Sequence, residues 1–287
     1  MKLFFTTLFA LLAFAANSLL ARMALAEQAI DPSSFTTLRV AFGALFLVVF
    51  CLLQQKAKPF RRLTRYSVIA GVSLLAYALL FSFAYLELST GTGALLLFGS
   101  VQISLVLAHC LGGNMLLRGQ SIGIIIATLG FVVLMLPSAK QPDVTAAIYM
   151  LLSGVAWAIF TLIGKKLAGQ GISATQSVTQ GFTVATGLCL FLMPLMLGNL
   201  HVTTNGVLYA FLSGSLASGA GYVLWYQALS KLSLLHASVS QLAVPVIALG
   251  LGILFLGESL SLDALLASSL ILIGIGLVVT AQSNQSN

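Results

Sequence analysis

The chain has 287 residues, of which 59% are hydrophobic and only 7% charged, and its formal net charge is +7. A water-soluble globule carries about 25% charged residues, so a soluble fold is excluded and the basic balance does not point to nucleic acid. The cysteines, Cys51, Cys110 and Cys189, each fall in or at the end of a different apolar run, which argues for small apolar filler and against a disulfide framework or metal site.

Ten apolar runs are long enough to cross the roughly 30 Å hydrocarbon core as helices. In chain order they cover about 3–24, 34–54, 66–86, 91–112, 121–137, 145–165, 174–197, 205–229, 235–256 and 263–281. The first carries Asn17 in its outer half. Its Met1-Lys2 start and Ala24-Leu25-Ala26 also resemble a secretory signal peptide, but the run is longer than a usual signal core and the repeat described below needs it.

Arg39 lies near the outer end of the second run. Two readings stand open: snorkelling to the interface beside Glu27 or Asp31, or a cation that attracts a substrate carboxylate. Tyr77 of the third run and Trp157 of the sixth are close to mid-membrane, where interface belts do not account for aromatic residues. They either pack or stack on a substrate. Gln102, mid-way along the fourth run, serves either an interhelical hydrogen bond or the lining of a cavity. His109 follows near the cytoplasmic end. Gln180 lies in the seventh run. The eighth contains Tyr222 and a series of small residues from Ser213 to Gly221, which lets helices approach closely. In the ninth, Pro245 removes a backbone donor and predicts a kink, with Gln241 one turn earlier.

Charge sets the orientation. With the N-terminus in the cytoplasm, the cytoplasmic connections hold Lys2, Lys56, Lys58, Arg61, Arg62, Arg65, Arg118, Lys165, Lys166 and Lys231. The other side holds Arg22, Arg39 and Lys140 together with every acid: Glu27, Asp31, Glu87, Asp143, Glu258 and Asp263. Lys and Arg mark the cytoplasmic side, and an even number of crossings returns the C-terminus there as well.

The second half echoes the first at an offset of about 141–144 residues. Arg39 aligns with Gln180, Tyr85 with Tyr226, Gln102 with Pro245, and Gly130 with Gly274. Five crossings per half is an odd number, so the second unit enters from the opposite face. This inverted repeat is the construction of many secondary transporters. The predicted fold is therefore an all-α integral membrane protein of ten transmembrane helices, N-in and C-in. Its two five-helix units span 1–137 and 143–281, and a cytoplasmic tail spans 282–287.

Several stretches carry a family resemblance: Asn17 with Arg22 five positions later, Pro32 before Leu38-Arg39, Trp225-Tyr226-Gln227-Ala228-Leu229, Pro245-Val246-Ile247-Ala248 and Leu256-Gly257-Glu258. With the ten-helix layout they resemble the EamA-type transporters of the drug/metabolite transporter superfamily. Gln102 stands where that family often has proline, and Arg118-Gly119-Gln120 where it often has Gly-Glu. The resemblance implies a secondary carrier of small metabolites, often an exporter of amino acids, with a central cavity.

The expected function is movement of a small amphipathic metabolite across the inner membrane by alternating access, outward in the family's usual sense. Substrate contacts are expected from Asn17, Arg39, Tyr77, Gln102, Trp157, Tyr222 and Gln241. No cofactor or metal is expected, and no nucleic acid. The partners are a small-molecule substrate and the lipid bilayer, with a monomer or homodimer as the assembly. Other readings are a non-transporting receptor or assembly subunit, a lipid translocator, or an intramembrane enzyme. The enzyme reading lacks H-E-x-x-H, and no Walker A sequence indicates direct ATP drive.

Overall fold

The computed structural model describes residues 1–54, 63–135, 143–196, 200–257 and 262–283. Its elements in order are α1 (Lys2–Ala26), α2 (Pro32–Gln54), α3 (Arg65–Ala84), α4 (Thr90–Leu111), α5 (Arg118–Met135), α6 (Val144–Gly169) and α7 (Ala174–Met196). Then come α8 (Thr204–Leu212), a π-helical segment (Ser213–Ala220), α9 (Gly221–Leu229), α10 (Leu234–Ser240), α11 (Ala243–Leu256) and α12 (Leu262–Ser283). The π segment joins α8 and α9 into one rod, Thr204–Leu229, and α10 and α11 together form another, Leu234–Leu256.

Helices are what hydrocarbon demands, because each backbone donor and acceptor must find its partner within the segment. Seven rods among the described residues are long and apolar enough to cross a membrane. The remaining expected runs fall on α5, α7 and α12. Large apolar side chains such as Phe9, Leu45, Leu107 and Leu254 are exposed. In water such a surface would be a liability; against lipid it is the matching solvent. Lys56, Lys58, Arg61, Arg62, Lys140 and Glu258 lie outside the described residues.

Polar side chains at the helix starts satisfy backbone donors that the helix leaves unpaired. Asp31 caps α2 and Ser173 caps α7. The Thr64 and Ser67 hydroxyls form a capping box on α3, and Thr203 caps α8. Ser89 caps α4 and Ser233 caps α10. Each pair is separated by about 140 residues, the offset of the sequence repeat. The helix ends match too. Arg22 donates to the carbonyls of Tyr85 and Leu86 beyond α3, and Lys165 donates to the carbonyl of Leu232 beyond α9.

The packing has the same regularity. In the first half α3 packs on α6 and α7, and α4 packs on α6. In the second, α9 and α11 pack on α1, and the π segment packs on α2. α2 lies against α7, α4 against α11, and α5 against α12. Replacing each rod by the one five rods away maps this set of neighbours onto itself. α1 is central to it: Ala10, Phe14, Ala15, Asn17 and Ala21 are buried in the common core.

Candidate functional site

The π segment is the local departure that builds the site. Its sequence, Ser213-Gly214-Ser215-Leu216-Ala217-Ser218-Gly219-Ala220, is small at every position but Leu216, so the i→i+5 pattern meets little steric resistance from its own side chains. Such segments are rare and recur at functional sites. A side chain at Gly214 would run into the Arg39 carbonyl, and one at Gly43 into Phe182. These glycines therefore let α2 and the π segment approach almost backbone to backbone.

At that crossing lies Arg39, 1% exposed. Its Nε donates to Ser218 Oγ at 3.1 Å, and Nη2 donates to Tyr77 Oη at 3.1 Å and Tyr222 Oη at 2.8 Å. The guanidinium carbon is 5.2 Å from the Tyr77 ring centre and 5.0 Å from that of Phe81. Nη1 is buried without a hydrogen-bond partner. The snorkelling reading of Arg39 is thus corrected: the side chain turns inward to α3 and α9. Asp31 is occupied elsewhere, with one carboxylate oxygen accepting from Ser34 N and the other from His201 N. Ordered side chains of opposite sign do not meet Arg39 among the described residues.

The hydroxyls form a network. Tyr222 Oη donates to Tyr77 Oη at 3.3 Å, Asn17 Nδ2 donates to Tyr77 Oη at 3.3 Å, and Ser213 Oγ donates to Asn17 Oδ1 at 2.6 Å. Four of the expected residues, Asn17, Arg39, Tyr77 and Tyr222, are therefore in one cluster. Trp157 joins through its ring, 5.0 Å from Tyr77 and 4.7 Å from Tyr222 between centres. Its Nε1 donates to Gln241 Oε1 at 2.7 Å, while Gln241 Nε2 donates to the Ala237 carbonyl. Gln241 caps α10 just before the chain restarts as α11, so the expected Pro245 break lies beside this amide. Gln102 is buried, but its Nε2 bonds to nothing and it is not tied into the cluster.

Phe14, Tyr77, Phe81, Phe98, Trp157 and Tyr222 enclose a central cavity of about 10 Å³, to which Ser18 adds a buried hydroxyl without a partner. That is the room of about one water molecule. The two ends of the bundle differ. At the end carrying Lys2 and Lys231, a cavity of about 460 Å³ reaches down to Tyr226 and Gly164. Tyr226 Oη donates to the Phe160 carbonyl at 2.8 Å, and the Phe160 ring stands between Tyr226 and Trp157. At the other end the chain is stitched shut. Ile30 and Val202 form an antiparallel bridge, with Asp31 N donating to the His201 carbonyl at 2.8 Å and Thr203 N to the Ala29 carbonyl at 2.9 Å.

The sequence reading assigned Ser213 and Ser218 to helix packing alone, and it missed Phe14, Phe81 and the Asp31–His201 contact. Small residues from Ser213 to Gly221 were the available signal for the π segment. Phe14 and Phe81 look like any other apolar residue until the fold places them on the cavity.

The EamA-like transporter family model matches residues 144–280. An uncharacterized protein of Pseudomonas aeruginosa is 42% identical over 275 residues, covering 95% of this chain and 93% of that protein. An uncharacterized transporter of Archaeoglobus fulgidus is 27% identical over 251 residues, covering 87% and 89%. A probable terminal-alkyne amino-acid exporter of Streptantibioticus cattleyicolor is 25% identical over 224 residues, covering 76% and 73%. A protein solved by crystallography, 18% identical, superposes with a TM-score of 0.77 over 96% of this chain and 98% of that one, so the fold is shared. The sequence resemblance and these matches agree: the chain is a multi-pass membrane protein, a transporter rather than an enzyme, and belongs to the EamA-like transporter family.

Proposed function

We propose that the protein is a secondary carrier of the inner membrane, built from ten crossings in two inverted five-helix units spanning 1–137 and 143–281, which exports a small amphipathic metabolite by alternating access. Support for the two units comes from the capping residues, the paired Arg22 and Lys165 contacts and the exchange-symmetric packing. The positive-inside pattern supports a cytoplasmic position for the Lys2 end. The named exporter of Streptantibioticus cattleyicolor is the reason to prefer amino acids or related compounds and outward movement.

One observation carries the reading. A buried polar cluster lies between a vestibule on one side and hydrogen-bonded loops on the other. Alternating access requires a barrier on each side of the load. Here the inner barrier is Tyr226 with Phe160, and the outer one is the 29–31 segment on 201–203. Asn17, Arg39, Tyr77, Trp157, Tyr222 and Gln241 are the contacts assigned to the load, and Gln102 is a further candidate through its free amide.

The test is counterflow in proteoliposomes. Vesicles preloaded with unlabelled amino acid should accumulate labelled amino acid transiently, faster than empty vesicles. Equal uptake with and without preloading, over the set of amino acids and related amphipathic compounds, sinks the carrier reading.

A further inference from the structure

We propose that Arg39, with Tyr77 and Tyr222, binds the carboxylate of the load, and that this site requires a carboxylate but not an ammonium group. The proposal rests on the carrier reading and names the chemistry its site selects.

The charge balance leads to it. An arginine keeps its charge at any physiological pH. Taking such an ion out of water costs several kcal/mol unless a partner compensates. Arg39 is 1% exposed, yet its hydrogen-bond partners are three neutral hydroxyls. Nearby rings offset a further part of the cost. Nη1 has nothing at all. The cation is held ready but not neutralised.

The geometry indicates what neutralises it. Tyr77 and Tyr222 each present a hydroxyl oxygen to Nη2, at 3.1 and 2.8 Å. Both side chains also wall the small cavity, beside Phe14, Phe98 and Trp157. In this shut state the two tyrosine oxygens take up the donors of Nη2, while Nη1 is left open for an acceptor. Widening of the cavity, with a shift of either tyrosine, exposes the planar fork of Arg39 to a carboxylate, while the apolar body of the load lies on the rings. Ser18 Oγ is a spare polar group on the same wall.

The site is one-sided in charge. The acids whose side chains are described, Glu27, Asp31, Glu87 and Asp143, are at helix ends or in connections. No carboxylate among the described side chains is hydrogen-bonded to the cluster, so nothing ionic is in place for an ammonium group. A load with a carboxylate alone should therefore bind at least as well as a zwitterion with the same body.

Four compounds with one aromatic body separate the possibilities: 3-phenylpropionate, phenylalanine, 3-phenylpropanamide and phenethylamine. Each is titrated into the purified full-length protein in detergent, and fluorescence is excited at the red edge, where only tryptophan absorbs. Trp157 reports from the cavity wall. Both acids should quench saturably, and bind at least roughly tenfold tighter than the amide or amine, as expected for a hydrogen bond to a charged group. Arg39→Gln should abolish the preference for the acids, and Arg39→Lys should keep it at reduced affinity. The ranking on the unmutated protein decides the matter even if a variant misfolds. Tighter binding of phenethylamine, equal binding of amide and acid, or binding of none of the four overturns the proposal. Phenylalanine binding with 3-phenylpropionate excluded overturns the claim that the ammonium is dispensable. In each of these cases counterflow with other solutes still judges the carrier reading separately.

Discussion

Arg39 and Tyr222, 183 residues apart in the chain, share a 2.8 Å hydrogen bond at the centre of the molecule. One belongs to α2 and the other to α9, so this contact ties the two halves together at the level of the cavity. A carrier that rocks one half against the other must strain or remake such a bond on every cycle. Stability and function should therefore respond differently when it is removed.

Arg39→Met tests this. Replacing buried ionic groups by apolar side chains of similar volume is often neutral or stabilising by about 1–4 kcal/mol, and Arg39 has no carboxylate partner to strand among the described residues. The Tyr77 and Tyr222 hydroxyls still bond each other. The variant should reach normal abundance and a melting temperature at or above that of the parent, yet lose most counterflow. A sharp fall in both abundance and melting temperature would make Arg39 a folding residue instead.

Gln102→Met makes a similar point for a group outside the cluster. A buried amide without a partner costs about 1–3 kcal/mol, and Gln102 Nε2 is such a group. Thermal unfolding in detergent should shift upward. Counterflow should fall if the amide serves the load, and a variant with raised stability and full transport would remove Gln102 from the site.

The close approach of α2 to the π segment predicts a contrast between glycines. A Cβ at Gly214 meets the Arg39 carbonyl, whereas one at Gly187 meets nothing within 4 Å. Gly214→Leu should destabilise by about 1–3 kcal/mol through overpacking. Gly187→Ala should be neutral or gain up to about 1 kcal/mol, the Gly-to-Ala difference in helix propensity. Detergent-phase melting curves of the two variants provide the comparison.

The outer barrier can be locked. Ile30 and Val202 face each other across an antiparallel bridge whose flanking bonds run from Asp31 N and Thr203 N. This is the non-hydrogen-bonded register, with Cα atoms about 4.5 Å apart, inside the range a disulfide spans. The double variant Ile30→Cys/Val202→Cys should cross-link under mild oxidation and stop counterflow, and a reductant should restore it. Undiminished transport by the cross-linked protein would show that this contact does not need to open.

The long apolar helices were legible because hydrocarbon leaves few options: long apolar runs, with the charges gathered between them. Arg39 was legible as unusual, but not its direction. Its depth near the end of the run allowed snorkelling toward Asp31, and only the packing of α2 on the π segment turns it inward. Gln241 and Trp157 were singled out separately; their mutual hydrogen bond depends on the break between α10 and α11, which no local pattern places to the residue. Phe14 and Phe81 were illegible because one phenylalanine in an apolar helix is like another until its neighbours are known.

The most direct measurement places spin labels in pairs at the two ends of the same protein. One pair spans Ala29 and Thr204, the other Leu3 and Gly171, and distances are read by pulsed electron resonance with and without load. The two distances should change in opposite directions, one end closing as the other opens. Two distances that stay fixed while counterflow proceeds, or that lengthen together, would contradict alternating access.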